Sequence, residues 1–133
     1  MRGSASEALA RIPLFAQLST RQLRKLSKGV VEHAYEPGTT IVREGGRTAT
    51  LFVVLEGEVK VVRNGRTISR RRPGEFFGEI AVIDGRPRAA SVVAETPIRC
   101  LVLEQATLKQ LLLTDPRVAW ALLESLATRL RGE

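Results

Sequence analysis

Residues 77 to 91 read F-G-E-I-A-V-I-D-G-R-P-R-A-A-S. They set one acid, Glu79, and one base, Arg88, on either side of a compact turn. Gly78 and the residues after Glu79 can present backbone N–H groups at the start of a short helix. A helix start with an arginine beside it suits an anion. An ionised carboxylate accepts hydrogen bonds and donates none, so Glu79 needs a different group on the same ligand. A sugar hydroxyl fits, and phosphate with hydroxyl on one molecule suggests a nucleotide. Taken alone, Arg88 reads better as a surface arginine paired with Glu79 or Asp84. Glu79 alone reads equally well as an acid complementing a helix dipole.

The elements that must hold these residues are legible from pattern. Ser19 or Thr20 is a cap for a helix over Arg21 to Lys28, with Leu23 and Leu26 on its buried side. Leu14, Phe15 and Leu18 form a short helical turn after Pro13. Short β-branched runs follow at Val30 to Glu36, Thr40 to Arg43, Leu51 to Leu55 and Val59 to Arg63. Pro37-Gly38 and Gly45-Gly46 punctuate them as turns. Asn64-Gly65 is a two-residue hairpin signal, with Thr67 to Arg71 returning from it. Ser91 to Ala94 and Ile98 to Leu103 make a further strand pair. About eight short strands imply a mainly β fold, a barrel or jelly roll. The period then changes. Gln105 to Leu113 reads as a helix, and Thr114-Asp115-Pro116 opens a last one, with Pro116 in its first turn. Ala119, Leu122, Leu123, Leu126 and Leu130 follow helical spacing there, and Trp120 reads as a packed residue.

Composition narrows the function classes. The chain's 133 residues suit one domain, residues 1–133, with 1–11 as leader or flexible chain and 104–133 as C-terminal helices. A net charge of +7 permits nucleic acid, an anionic membrane or a small anionic ligand as partner. The charge is spread along the chain, and only Arg70 to Arg72 form a run, read as a solvated hairpin end. Cys100 is the only cysteine and sits among apolar residues, so it reads as a buried small hydrophobe in a reducing, cytoplasmic setting. No apolar stretch reaches the ~18 residues of a membrane span. A metal-dependent β-barrel enzyme needs several clustered ligands, and the chain has one histidine, His33, read as a surface strand residue. No Ser–His–Asp or Cys–His arrangement has supporting context. The expectation is a protein that is not an enzyme, with no catalytic residues, no metal and no cofactor.

Phe77, Gly78, Glu79, Ala81, Val82, Arg88, Ala89, Ala90 and Val92 fill each place of the phosphate-binding cassette of cyclic nucleotide-binding domains. That family includes the catabolite activator protein and the regulatory subunits of cAMP-dependent protein kinase. Upstream, Ile41, Val42, Gly45, Leu51 to Val54 and Gly57 match a second signature of the family. Gly46 and Thr48 depart from it, both in a loop. The resemblance runs from about Ile12 to the last helix, with two signatures in order at the family's separation.

The resemblance implies an eight-stranded jelly-roll β-barrel flanked by N-terminal helices and two C-terminal helices. It implies a ligand site of Gly78, Glu79, Ile80, Ala81, Arg88, Ala89 and Ala90. Arg88 would fork onto the cyclic phosphate, Glu79 would accept from the ribose 2′-hydroxyl, Gly78 would give a backbone N–H to ribose, and Ala81 and Ala89 theirs to phosphate. Members selective for cGMP tend to carry a hydroxyl residue directly after the arginine. Ala89 has none, so cAMP is expected ahead of cGMP. Val82 with Leu111 or Leu112 would be the hinge, and Arg129 or Arg131 the base lid. Both arginines also suit a helix C-terminus on charge alone. The sequence ends at Leu130-Arg131-Gly132-Glu133 with no DNA-binding motif, so an effector domain or partner protein of unknown kind is expected. A degenerate domain kept as an interaction or dimerisation module is the alternative.

Overall fold

The computed structural model describes residues 5–132. It divides into two compact units, one spanning Val30–Gln105, the other the residues up to Gly29 with those from Ala106 onward. The first unit carries eight strands: β1 (Val30–Tyr35), β2 (Thr40–Val42), β3 (Thr50–Glu56), β4 (Val59–Arg63), β5 (Arg66–Arg71), β6 (Phe76–Phe77), β7 (Ser91–Ala94) and β8 (Ile98–Glu104). They form two antiparallel four-stranded sheets, in the orders β1-β8-β3-β6 and β2-β7-β4-β5. This is the expected jelly-roll architecture. The strand that no periodic run signalled is the two-residue β6, too short to show a period.

Alternation decides which side chains fill the unit. Val42, Phe52, Val54, Val59, Val61, Phe77, Val92, Ala94, Ile98 and Cys100 make one buried cluster. Phe52 pairs with Phe77 in register, and their rings stack with centroids 4.9 Å apart. The Asn64-Gly65 turn has positive φ at both residues (51° and 77°), the backbone a tight primed hairpin needs. His33 lies exposed on β1, its ring stacked on Tyr35 at 6.1 Å. Arg99 on β8 bridges Glu32 of β1 and Glu56 of β3 across one sheet.

The second unit contains α1 (Ala5–Ala10), α2 (Thr20–Ser27) and α5 (Pro116–Arg131), with most of α4 (Gln105–Thr114). A short helix α3 (Glu79–Asp84) belongs to the strand-bearing unit. Ser19 caps α2 in a reciprocal box with Gln22. The Gln22 amide also donates to Asp115 at 3.0 Å, and buried Asp115 caps α5 by accepting from the Arg117 N–H at 3.0 Å. One glutamine therefore serves the starts of two helices. The Arg117 guanidinium beside Asp115 holds that carboxyl below the usual range.

Within the stretch expected as leader or flexible chain, Ala5–Ala10 is helical and Leu9 is fully buried; residues 1–4 lie outside the described residues. One expectation is corrected. Trp120 is not packed: α5 buries Val118 and Leu122, while Trp120, Leu123 and Leu130 are exposed. The burial stripe is thus narrower than the leucine spacing implied.

Cys100 is fully buried, and burial with nearby Glu32 pushes its thiol up to about 12. At pH 8 its thiolate would then be roughly one part in ten thousand. Native protein should leave Cys100 unmodified by a thiol-specific disulfide reagent at pH 8, and urea-unfolded protein should react fully. Rapid native labelling would contradict the buried placement.

Candidate functional site

Everything at the site turns on how α3 begins. Gly78 precedes it with φ of +90°, a conformation that suits glycine. A Cβ there would fall 2.6 Å from the Thr50 carbonyl oxygen and 2.8 Å from Arg88 Nη1. Both backbone freedom and lack of a side chain are therefore required. The Gly85 C-cap, also left-handed, ends α3 by donating to the Ala81 carbonyl at 3.0 Å. α3 buries Glu79, Ala81 and Val82, and leaves Ile80 and Ile83 exposed.

Arg88 is buried, with 4% of its surface exposed. Its Nη1 donates to the Gly78 carbonyl at 2.9 Å, and Nη2 to the Thr50 carbonyl at 3.0 Å. Nη2 also faces the Thr48 hydroxyl at 3.4 Å, a weaker contact. Its Nε is buried with no hydrogen-bond partner. Burial lowers the Arg88 pKa from its ordinary value, and the negative charge of Glu79 opposes that. The Arg88 backbone is engaged too: its N–H donates to the Gly46 carbonyl at 2.7 Å, and its carbonyl accepts from Gly45 N–H at 2.9 Å. The surface-arginine reading is thereby excluded.

The loop before β3 thus matters more than its place in the sequence suggested. Gly46 and Thr48, the two departures from the family signature, both touch Arg88. Thr50 and Gly46 act through carbonyl oxygens, which leave no side-chain signal in a sequence. Ser91 accepts from the Glu44 N–H at 2.8 Å, so its hydroxyl is engaged with the loop. Arg63 Nε donates to the Ala89 carbonyl at 3.1 Å, fixing the peptide that joins Ala89 to Ala90.

An open cavity of about 130 Å³ adjoins these groups. Gly78, Glu79, Ile80, Ala81, Arg88, Ala89 and Ala90 all line it, so the seven candidate ligand residues are brought together. Arg63, Ile68 and Arg71 line it as well, and none of the three was singled out beforehand as a site residue. The arginine run is corrected accordingly. Arg70 and Arg72 are exposed and pair with Glu95 and Glu58, but Arg71 faces the cavity. Val82 is buried on α3, and its carbonyl accepts from the Gln105 amide at 2.9 Å. Leu112 is half-buried on α4, Arg129 half-buried and Arg131 exposed on α5; all three belong to the other unit. Among the described residues, no three His, Cys, Asp or Glu side chains cluster as a metal site would need.

A family model, the cyclic nucleotide-binding domain, matches residues 32–115. The chain belongs to that family. It is 35% identical over 107 residues to the cAMP-dependent protein kinase regulatory subunit of Aspergillus fumigatus, covering 78% of this chain and 26% of that protein. It is 32% identical over 104 residues to the cGMP-dependent protein kinase of Toxoplasma gondii, covering 78% and 10%. The crystal structure of a cyclic nucleotide-binding domain from Methylobacillus flagellatus superposes with a TM-score of 0.84 at 31% identity, covering 98% of this chain and 82% of that one. The chain spans about a quarter of the length of the regulatory subunits it matches.

Gly78→Ala should destabilise the protein by roughly 1–3 kcal/mol, through left-handed backbone strain and the collision with Thr50 and Arg88. Urea unfolding checks this, and an unchanged midpoint would contradict the close approach.

Proposed function

We propose that this chain is a non-catalytic sensor of cyclic nucleotides, with cAMP bound ahead of cGMP. The observation that carries the reading is the buried Arg88 guanidinium, whose Nε finds no partner, on the wall of an open cavity. A buried cation with an unused donor is costly alone and is relieved by an anion. A cyclic phosphodiester supplies one negative charge and acceptor oxygens. The protein carbonyls of Gly78 and Thr50 hold the guanidinium in place beforehand, so little ordering is needed on binding.

Glu79 lies buried on the same cavity wall and would accept from the ribose 2′-hydroxyl. Backbone N–H groups of Gly78, Ala81 and Ala89 would complete the ribose and phosphate contacts, with Ile80 and Ala90 lining the site. Ala89 has no hydroxyl for guanine, which favours adenine. Kinship itself does not choose the base, because both a cAMP- and a cGMP-dependent protein are among the relatives.

The two units would work as one domain, residues 1–133. The output would be a shift among arrangements of the C-terminal helices, with Val82 and Leu112 as hinge and Arg129 or Arg131 as lid to the base. A ligand drives such a shift only by binding one arrangement more tightly. The regulated partner would be an effector domain or a separate protein. No helix among the described residues is long and apolar enough to cross a membrane.

Arg88→Leu should abolish cAMP binding by calorimetry while circular dichroism still reports a folded chain. Some stability, roughly 1–3 kcal/mol, should be lost because two carbonyls lose their donor. Unchanged cAMP affinity in the folded variant would place the phosphate elsewhere.

A further inference from the structure

The positive charge is unevenly shared between the two units. Residues 1–29 and 106–133 hold ten Lys and Arg against four Asp and Glu, whereas residues 30–105 hold eleven against ten. Six of the seven net charges therefore belong to the helical unit. Helix α2 concentrates them. Arg21, Arg24 and Lys25, with Lys28 at the C-cap, recur at the three- and four-residue steps that put side chains on one helical stripe. All four are exposed, while Leu23 and Leu26 on the opposite side are buried.

Local electrostatics does not account for the stripe. Arg24, Lys25 and Lys28 suit the dipole at the helix end, but Arg21 stands in a first turn that has no acid, where a cation opposes it. Arg21 with Lys25, and Arg24 with Lys28, are like-charge pairs four residues apart, which repel. Among the described residues none of the four forms a salt bridge, whereas Arg70, Arg72 and Arg99 of the strand-bearing unit and Arg117 of α5 each do.

The shape of the stripe selects its partner. α2 exposes no apolar or aromatic side chain that could enter a bilayer or stack on bases. It is also firmly set, capped by Ser19 and Gln22, with the Gln22 amide holding Asp115 at 3.0 Å. Cations fixed about 5–6 Å apart along a line of about 10 Å match carboxylates at the same steps on a second helix. Arginine forks take carboxylates in paired hydrogen bonds.

We propose that α2 is a docking face for an acidic helical segment of a partner protein, with carboxylates at i, i+3, i+4 and i+7. The proposal does not depend on the cyclic-nucleotide reading, since no residue of α2 lines that cavity.

The test is fluorescence anisotropy at low salt, with the full chain titrated into a labelled helical peptide carrying glutamates at those four steps. The comparison probes are a peptide of the same composition with the glutamate spacing scrambled, a random-sequence duplex DNA, and vesicles of phosphatidylcholine and phosphatidylserine in equal parts. The matched peptide should bind about tenfold more tightly than the scrambled one, and more tightly than duplex or vesicles. Replacing Arg21, Arg24, Lys25 and Lys28 together by Gln, which keeps helix propensity, should weaken that binding about tenfold or more. A control variant with Arg43→Gln, Arg47→Gln, Arg66→Gln and Arg86→Gln removes the same charge from exposed positions of the other unit. Its affinity for the matched peptide should change by less than about threefold. Equal losses in the two folded variants, indifference to glutamate spacing, tighter binding to duplex or vesicles, or no binding of the matched peptide would each overturn the proposal.

Discussion

One buried guanidinium organises the site. Arg88 joins three chain segments that are far apart in sequence: the loop through Gly45 and Gly46, the start of β3 at Thr50, and the turn at Gly78. A charge taken out of water is tolerated only where hydrogen bonds and a counter-charge offset the loss of hydration. Here two carbonyls and Glu79 provide the offset, and Nε remains without a hydrogen-bond partner. Removing the arginine would therefore strand the Gly78 and Thr50 acceptors as well as delete the proposed phosphate-binding group.

The hydrophobic core and the site are parts of one construction. Phe77 immediately precedes Gly78, and it stacks on Phe52, two residues after Thr50. Packing of that aromatic pair sets β6 against β3, and with it the two carbonyls that receive the Arg88 fork. Gly78 is then confined from both sides, by the left-handed backbone and by the close approach of Thr50 and Arg88. A cavity with apolar strands on one part of its wall and a polar cassette on another follows from that arrangement.

Much of this was legible in the residues. The Asn64-Gly65 turn, the capped helices at Ser19 and Asp115, most of the strands and the burial of Cys100 all express local rules of backbone preference and periodicity. Candidate ligand residues were legible because glycine, acid and arginine stand at a recognisable spacing. What escaped has physical reasons. Gly46 and Thr50 contribute carbonyl oxygens, which any residue possesses. Arg71 sits in a run of three arginines, and only the register with Val59 separates the inward one from its outward neighbours. Trp120 and Leu130 follow helical spacing yet are exposed, since spacing defines a stripe without stating how much of it is covered.

In the proposed function, the buried Arg88 cation takes a cyclic phosphodiester. Titration of the wild-type chain with cAMP, followed by calorimetry, tests that most directly. Saturable binding at one ligand per chain, with a rise in melting temperature as ligand is added, is the predicted result. A folded chain that gives neither binding heat nor a thermal shift at millimolar cAMP would contradict it.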